Sequence, residues 1–355
     1  MGADRRSGGE IRRILVVKLS SFGDIVLATG ALEAIKRAHP RADLRVAVED
    51  RWSALLSAHP AVDGLIEAPI EVRLTPRRIA RIHAALAAER RRGGDFDLAI
   101  DLQGTRRSAA WVYLARARVM AGRGAPRPAW RFALPHDRTR HAVDNHAEVC
   151  ARLGIDTSGC SPSLAVAAED DARLEAILAA AGLPARGAIV LNPLSRWPSK
   201  SWDPAKAAEL AARIAGATGM AVIVTGGPDE APAAADIVRR AGAGRVSSLA
   251  GRLTLGEALA LYRRARLVVS CDSGPMHAAA ALGTRVVALF GPTLPAHTGP
   301  WGPGHALVQA RRPRDHHAYR RTDGAAYMAD IGVDAVAQAV SGILRTGSPE
   351  RAEAH

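Results

Sequence analysis

Short β-branched runs alternate with longer helical patterns along this chain, and the alternation happens twice. The runs are Ile14–Leu19, Leu44–Val48 and Leu98–Leu102, then Ala188–Leu191, Ala221–Thr225, Leu267–Ser270 and Arg285–Phe290. Near-continuous apolar strands separated by helices are buried on both faces, so they predict parallel sheets covered by crossover helices. Two such series in 355 residues exceed what one core supports and predict two α/β domains. Asp156–Ser163 has no periodicity, contains Gly159, Cys160 and Pro162, and follows a helical pattern over His141–Leu153; it reads as the linker. The domains are therefore expected over 11–158 and 164–330. A last strand is expected near His305–Gln309. The amphipathic pattern Val333, Val336, Val340, Ile343 then predicts a closing helix over 331–346 that crosses back onto the first domain. The first and last ten or so residues read as disordered.

Composition narrows the class. Hydrophobic residues make up 48% and aromatic residues 4%, which suits Ala/Val/Leu-rich layers better than a β-sandwich. Cys150, Cys160 and Cys271 form no C-x-x-C pair and are odd in number, which points to a reducing compartment and no structural zinc. The first apolar segment is cut by Lys18 and Asp24, so neither a signal peptide nor a membrane span fits, and a soluble cytoplasmic protein is expected.

The net charge of +13 calls for an acidic partner: nucleic acid, an anionic membrane surface or a phosphorylated substrate. Residues 1–160 hold 27 basic and 18 acidic side chains against 21 and 17 in 161–355, so the first half carries most of the excess. From Arg106 to Arg140 nine arginines, with Trp111 and Trp130 interleaved, face one acid, Asp137, which reads as a basic surface, either for an acidic partner or simply solvated. Arginines outnumber lysines 44 to 4, so Lys18 and Lys200 stand out as point charges in chemically suggestive stretches.

Doubly wound sheets bind ligands beyond the C-terminal ends of their strands. At the first strand's end, Lys18-Leu19-Ser20-Ser21-Phe22-Gly23-Asp24 puts a lone carboxylate where strand turns into helix; Asp24 is either a helix cap or an ionised group beside anion-binding amides. Asp101-Leu102-Gln103-Gly104-Thr105-Arg106-Arg107-Ser108 offers a glycine for close approach, with Arg107 and Ser108 for anionic or hydroxyl groups. In the second half, Asn192–Trp202 combines Ser195, Lys200 and two tryptophans. Thr225–Glu230 opens a Gly loop before a carboxylate. Cys271-Asp272-Ser273-Gly274-Pro275-Met276-His277 builds a helix-start site for a diphosphate, and Phe290-Gly291-Pro292-Thr293 shapes its neighbour. No G-x-G-x-x-G or P-loop motif occurs. Asp95-Phe96-Asp97 precedes a strand, the wrong edge for a metal site, and His316-His317 lacks a third ligand.

Taken in order, Lys18-x-Ser20-Ser21-x-Gly23-Asp24, Asp101-x-Gln103-Gly104, Lys200-x-Trp202, Gly227-Pro228-x-Glu230, Asp272 to His277 and Phe290 to Thr293 resemble glycosyltransferase family nine, the ADP-heptose:lipopolysaccharide heptosyltransferases, from Arg12 to Leu344. The resemblance implies a GT-B fold of two Rossmann-like domains facing across a cleft. It also implies inverting, metal-independent transfer of heptose from ADP-L-glycero-D-manno-heptose to the lipopolysaccharide inner core, a Kdo-lipid A or heptosyl-Kdo-lipid A acceptor, with no cofactor. Carried over by position, Asp24 is the general base and Lys200 the second catalytic residue; Ser195, Lys200, Glu230, Asp272, Ser273, Gly274 and His277 bind the donor. Lys18, Ser20, Ser21, Gln103, Arg107 and His141 bind the acceptor.

The expected enzyme is a monomer, peripheral on the inner face of the inner membrane, with no nucleic-acid partner. Its rivals are a family member using another sugar or glycan, and a non-catalytic basic surface-binding protein. The shortage of stacking aromatics and the full set of acidic and phosphate-site residues argue against the last. Two departures bear on the acceptor. Many relatives carry cysteines in the stretch Ala318–Met328, where this chain has none, and some first-heptose enzymes place an arginine where Asn145 stands.

Overall fold

The computed structural model describes residues 10–69, 74–137, 139–242, 244–311 and 325–346, and its chain divides between Pro162 and Ser163 into two compact units. The first unit holds β1 (Arg13–Val17), α1 (Phe22–Val26), α2 (Thr29–Ala38), β2 (Asp43–Glu49), β3 (Gly64–Ala68), α3 (Pro76–Gly93), β4 (Leu98–Asp101), α4 (Arg106–Ala115), β5 (Val119–Arg123), β6 (Phe132–Leu134) and α5 (Ala142–Arg152). The second holds α6 (Ala168–Ala180), β7 (Ile189–Asn192), α7 (Pro204–Thr218), β8 (Val222–Val224), α8 (Ala231–Ala241), β9 (Val246–Ser248), α9 (Leu255–Arg264), β10 (Leu267–Cys271), α10 (Gly274–Ala281), β11 (Val286–Phe290), α11 (Pro295–Thr298), β12 (Ala306–Gln309), α12 (Ala325–Ala329) and α13 (Val333–Arg345).

Each unit is one parallel six-stranded sheet, ordered β3-β2-β1-β4-β5-β6 and β12-β11-β10-β7-β8-β9. Numbered within its own unit, each order is 3-2-1-4-5-6, the Rossmann arrangement, with the chain reversing direction of growth beside the first strand. That reversal leaves a crevice at the carboxyl ends of β1 and β4, and of β7 and β10. Register brings those ends level: Val17 pairs with both Ala47 and Asp101, and Ser270 with Asn192.

Local sequence explains the elements. β1, β4, β7, β10 and β11 are buried at every position, as central parallel strands must be. Helices start where a side chain can occupy an orphan N–H: Thr75 accepts from Arg78 N, Thr105 from Ser108 N, Thr254 from Glu257 N, and Asp203 from Ala205 N ahead of Pro204. Four strands, β3, β5, β6 and β9, lie outside the β-branched runs. Their sequences GLIEA, VMAGR, FAL and VSS are short or Gly- and Arg-containing, and they form because a neighbouring strand already supplies the ladder.

The closing helix needs correction. α13 does not spend its apolar stripe on the first domain: Val333, Val336, Ala337, Val340 and Ile343 pack into the second unit's core with Leu267, Val269, Val287 and Leu289. An amphipathic helix shows that it needs a partner without saying which. Trp202 is also core, fully buried, its indole N–H donating to the Ile331 carbonyl at 3.0 Å. Trp111 and Trp130 are likewise buried in the first core, so they are not surface aromatics.

Candidate active site

In the first unit, the site grows from the ends of β1 and β4. Lys18 is buried there, its Nζ donating to the Leu102 carbonyl at 3.4 Å. The chain then turns through Ser20 and Ser21 into α1. Asp24 Oδ2 accepts from Ser21 N at 3.2 Å and Ser21 Oγ at 2.7 Å, so the cap reading holds for one carboxylate oxygen. Asp24 also lines a cavity of ≈ 640 Å³ with Lys18, Gln103, Arg123, His136 and His146. Capping and facing a cavity are therefore one arrangement.

The electrostatics favour an ionised Asp24. Burial pushes its pKa up, but Lys18, the two Ser21 hydrogen bonds and His146 outweigh that and hold the carboxyl below its ordinary value. Burial draws the Lys18 pKa down, opposed by Asp24 and Asp101. Burial, and then the nearby Lys18, hold the His146 imidazole well below its ordinary value. Its Nδ1 lies 3.3 Å from the Leu27 carbonyl, which requires the proton on that nitrogen. Asp101 is fully buried, and burial lifts it to about 6 although it accepts from Gln103 N, Gly104 N and Ser108 Oγ.

Two glycines make this geometry. Gly104 sits at φ 76, the left-handed region that returns its amide to Asp101. Gly122, at φ 149, lies so close to the Asp101 backbone that a Cβ would collide with it. The close approach sets Arg123 into the cavity wall. Arg123 is 3% exposed and donates to Asn145 O at 2.5 Å, Asn145 Oδ1 at 2.6 Å and Pro135 O at 2.6 Å. This corrects the basic-surface expectation at Arg123. Asn145, the position at which some relatives are expected to carry arginine, is the buried carboxamide that holds Arg123 and bonds the Asp137 carbonyl at 2.8 Å.

Of the residues expected from sequence, Lys18, Asp24 and Gln103 line the cavity, and Ser20 and Ser21 form its turn. Arg107 and His141 are not among the lining residues. Arg107 Nη2 bonds the buried Glu49 carboxylate at 2.7 Å, which also takes Arg51 at 2.6 Å; His141 Nδ1 accepts from Val143 N and starts α5. Sequence reading missed His146 and put Arg123 on a basic surface instead of in a cavity wall. A histidine within a helix and one arginine among nine carry no local mark. Asp97 accepts from the Arg12 and Arg13 amides at the opening of β1, a structural use. His316, His317 and Ala318 lie outside the described residues.

In the second unit the ends of β7, β10 and β11 converge. Lys200 Nζ donates to Asp272 Oδ2 at 2.6 Å, and Thr293 Oγ1 donates to the same oxygen at 2.7 Å. Burial raises the Asp272 pKa, but Lys200, His277 and Thr293 overcome it and hold the carboxyl below its ordinary value. Ser273 precedes α10, with Gly274 as its first residue and His277 buried in its first turn. Ser195 N accepts no proton; it donates to Ser201 Oγ at 3.0 Å, closing the loop that carries Lys200. Glu230 Oε2 accepts from Gly227 N at 2.8 Å after β8. The site thus offers a held cation beside a helix N-terminus, an anion-binding arrangement. Trp197 is exposed at 38%, with Arg196 over its ring at 5.8 Å.

Residues 86–324 match the family described as glycosyltransferase family 9 (heptosyltransferase). The chain belongs to that family. Family 9 relatives span most of it: lipopolysaccharide heptosyltransferase 3 of Escherichia coli is 27% identical over 287 residues, 79% of this chain and 83% of the relative. Lipopolysaccharide heptosyltransferase 1 of Salmonella typhimurium is 30% identical over 305 residues, 82% of this chain and 92% of the relative. The fold of this family 9 glycosyltransferase is that of a solved family 9 glycosyl transferase from Veillonella parvula, with TM-score 0.87, 24% identity and coverage of 95% and 98% of the two chains. It also matches E. coli ADP-heptose lps heptosyltransferase II, with TM-score 0.76, 21% identity and coverage of 94% and 99%. These likenesses identify the two Rossmann-like units as a GT-B fold.

Proposed function

We propose that the enzyme transfers heptose from ADP-heptose to the lipopolysaccharide inner core by a single inverting displacement without a metal ion. The observation that carries this is Asp24: an ionised carboxylate facing a cavity that also holds Lys18 and Arg123, in a family 9 chain whose relatives are named as lipopolysaccharide heptosyltransferases. In the step, the acceptor hydroxyl oxygen bonds the anomeric carbon while the bond from that carbon to the ADP oxygen breaks. The hydroxyl proton passes to Asp24. Lys200 and the amides at the start of α10 take up charge on the departing diphosphate, the part a metal plays elsewhere.

Ser195, Glu230, Asp272, Ser273, Gly274 and His277 complete the donor side, and Lys18, Ser20 and Ser21 the acceptor side, in this reading; Arg107 and His141, engaged by Glu49 and by the start of α5, leave it. Among the described residues no helix is long and apolar enough to cross a membrane. We place the enzyme on the cytoplasmic face of the inner membrane as a monomer, held by exposed arginines such as Arg106, Arg116 and Arg131. Turnover with ADP-heptose and Kdo-lipid A tests the reading. ADP, but not UDP or GDP, should raise the melting midpoint. An enzyme stabilised equally by all three nucleotides would defeat the donor assignment.

A further inference from the structure

Gln103 lines the cavity, and its side chain is already engaged. Its carboxamide oxygen accepts from Ser20 N at 3.0 Å, and accepting from an N–H settles which end of the amide points there. Its backbone N–H donates to Asp101 Oδ1 at 2.8 Å, beside Gly104 N at 2.9 Å, while Asp101 Oδ2 accepts from Ser108 Oγ at 2.8 Å. Beyond Ser20, Ser21 N and Oγ hold Asp24. Hydrogen bonds linked through the Gln103 residue and the Ser20–Ser21 backbone thus join a fully buried carboxylate on β4 to the half-buried carboxylate on α1.

The line has a mechanical reason. Lys18 N is tied to Ala47 O at 3.0 Å and Leu19 O to Glu49 N at 3.1 Å, so the backbone before the turn is fixed by β2. Ser21 is exposed, where water competes for its bonds and weakens each of them. The Ser20–Gln103 bond is the anchor between the fixed strand and that exposed cap.

We propose that Gln103 is a positioning residue for Asp24: anchored by Asp101, it fixes the Ser20–Ser21 turn so that Ser21 presents the Asp24 carboxylate to the cavity in one orientation. The proposal rests on the reading of Asp24 as general base. It differs from an acceptor contact by Gln103 in what it predicts for kcat and KM separately, since a group that orients the base acts on the chemical step.

The experiment is steady-state kinetics against pH, with ADP-heptose and Kdo-lipid A, on the parent, Gln103→Ala, Gln103→Glu and Asp24→Asn. Gln103→Ala should lower kcat roughly tenfold, leave the acceptor KM within about twofold, and move the acidic limb of kcat/KM to higher pH as Asp24 loses the Ser21 bonds. Gln103→Glu keeps an acceptor oxygen at the same reach and should recover most of kcat above that limb. If Gln103→Ala fails to fold by circular dichroism, Gln103→Leu, which fills similar volume without an acceptor, carries the same expectation. A raised acceptor KM with unmoved kcat and limb, or equal losses in the Ala and Glu variants, overturns the positioning role while an inactive Asp24→Asn leaves the base reading standing. Full turnover in Asp24→Asn overturns both.

Discussion

The two units share a strand order and a crevice position yet arrange charge in opposite senses. In the first, a buried lysine, Lys18, lines the cavity with the half-buried Asp24, and its charge and the Ser21 bonds hold the Asp24 carboxyl below its ordinary value against the cost of burial. In the second, a buried carboxylate, Asp272, sits behind the lysine and holds Lys200 at 2.6 Å beside the start of α10. One scaffold therefore turns a carboxylate toward a cavity in one unit and holds a lysine beside a helix start in the other. In each unit one of the two opposite charges is the more buried, Lys18 in the first and Asp272 in the second. Asp272 is 5% exposed and Lys200 is half-buried; Lys18 is 5% exposed and Asp24 is half-buried.

The sharpest test exchanges charge for shape at Asp24. Asp24→Asn should lower turnover by about a hundredfold or more, the scale of a lost general base, while ADP still raises the melting midpoint as in the parent. Normal turnover would reduce Asp24 to the helix cap it also is.

A second test uses proton linkage. Asp101 is raised to about 6 in the folded state, from an ordinary value near 3.8. Its contribution is fully present below pH 3.8 and is lost as pH rises through about 6, which amounts to roughly 3 kcal/mol. Asp272 runs the other way: with a lowered pKa, its contribution is present above the ordinary value and is lost on further acidification. Urea unfolding from pH 4 to 7 should show the parent losing stability through pH 6 and Asp101→Asn losing much less. Identical slopes would refute the burial assigned to Asp101.

On the second unit's side, Lys200→Ala should weaken ADP binding about tenfold and reduce turnover, since a charge-assisted bond to phosphate is worth roughly 1.5–3 kcal/mol. EDTA should leave the parent active. Activity lost in EDTA and restored by magnesium would give the leaving group to a metal.

The smallest effect is expected at the surface. Arg106, Arg116 and Arg131 are exposed, unlike Arg123, and on the proposed membrane reading each should contribute about 1 kcal/mol of salt-sensitive attraction to an anionic bilayer. Neutralising the three should weaken binding to phosphatidylglycerol vesicles and flatten its salt dependence without altering ADP affinity. Unchanged vesicle binding at low salt would make them merely solvated charges.

The strand runs, the two-part division and the motifs that end β1, β4, β7 and β10 follow from the sequence alone, because apolar periodicity and turn residues act over a few neighbours. Lys18, Gln103 and Asp272 were legible for that reason, each following a parallel strand within two residues, while Asp24 and Lys200 stand farther along the turns that β1 and β7 lead into. Tertiary structure decided the rest. Arg123 enters a cavity wall, while Arg131 meets solvent, because β5 lies beside β4 at Gly122 and because Asn145, twenty-two positions on, supplies the partner. Glu49 takes Arg107 across 58 positions, and α13 completes the second core. Local pattern says that an arginine is charged and that a helix has an apolar face; which neighbour satisfies either depends on distant chain that only folding brings near.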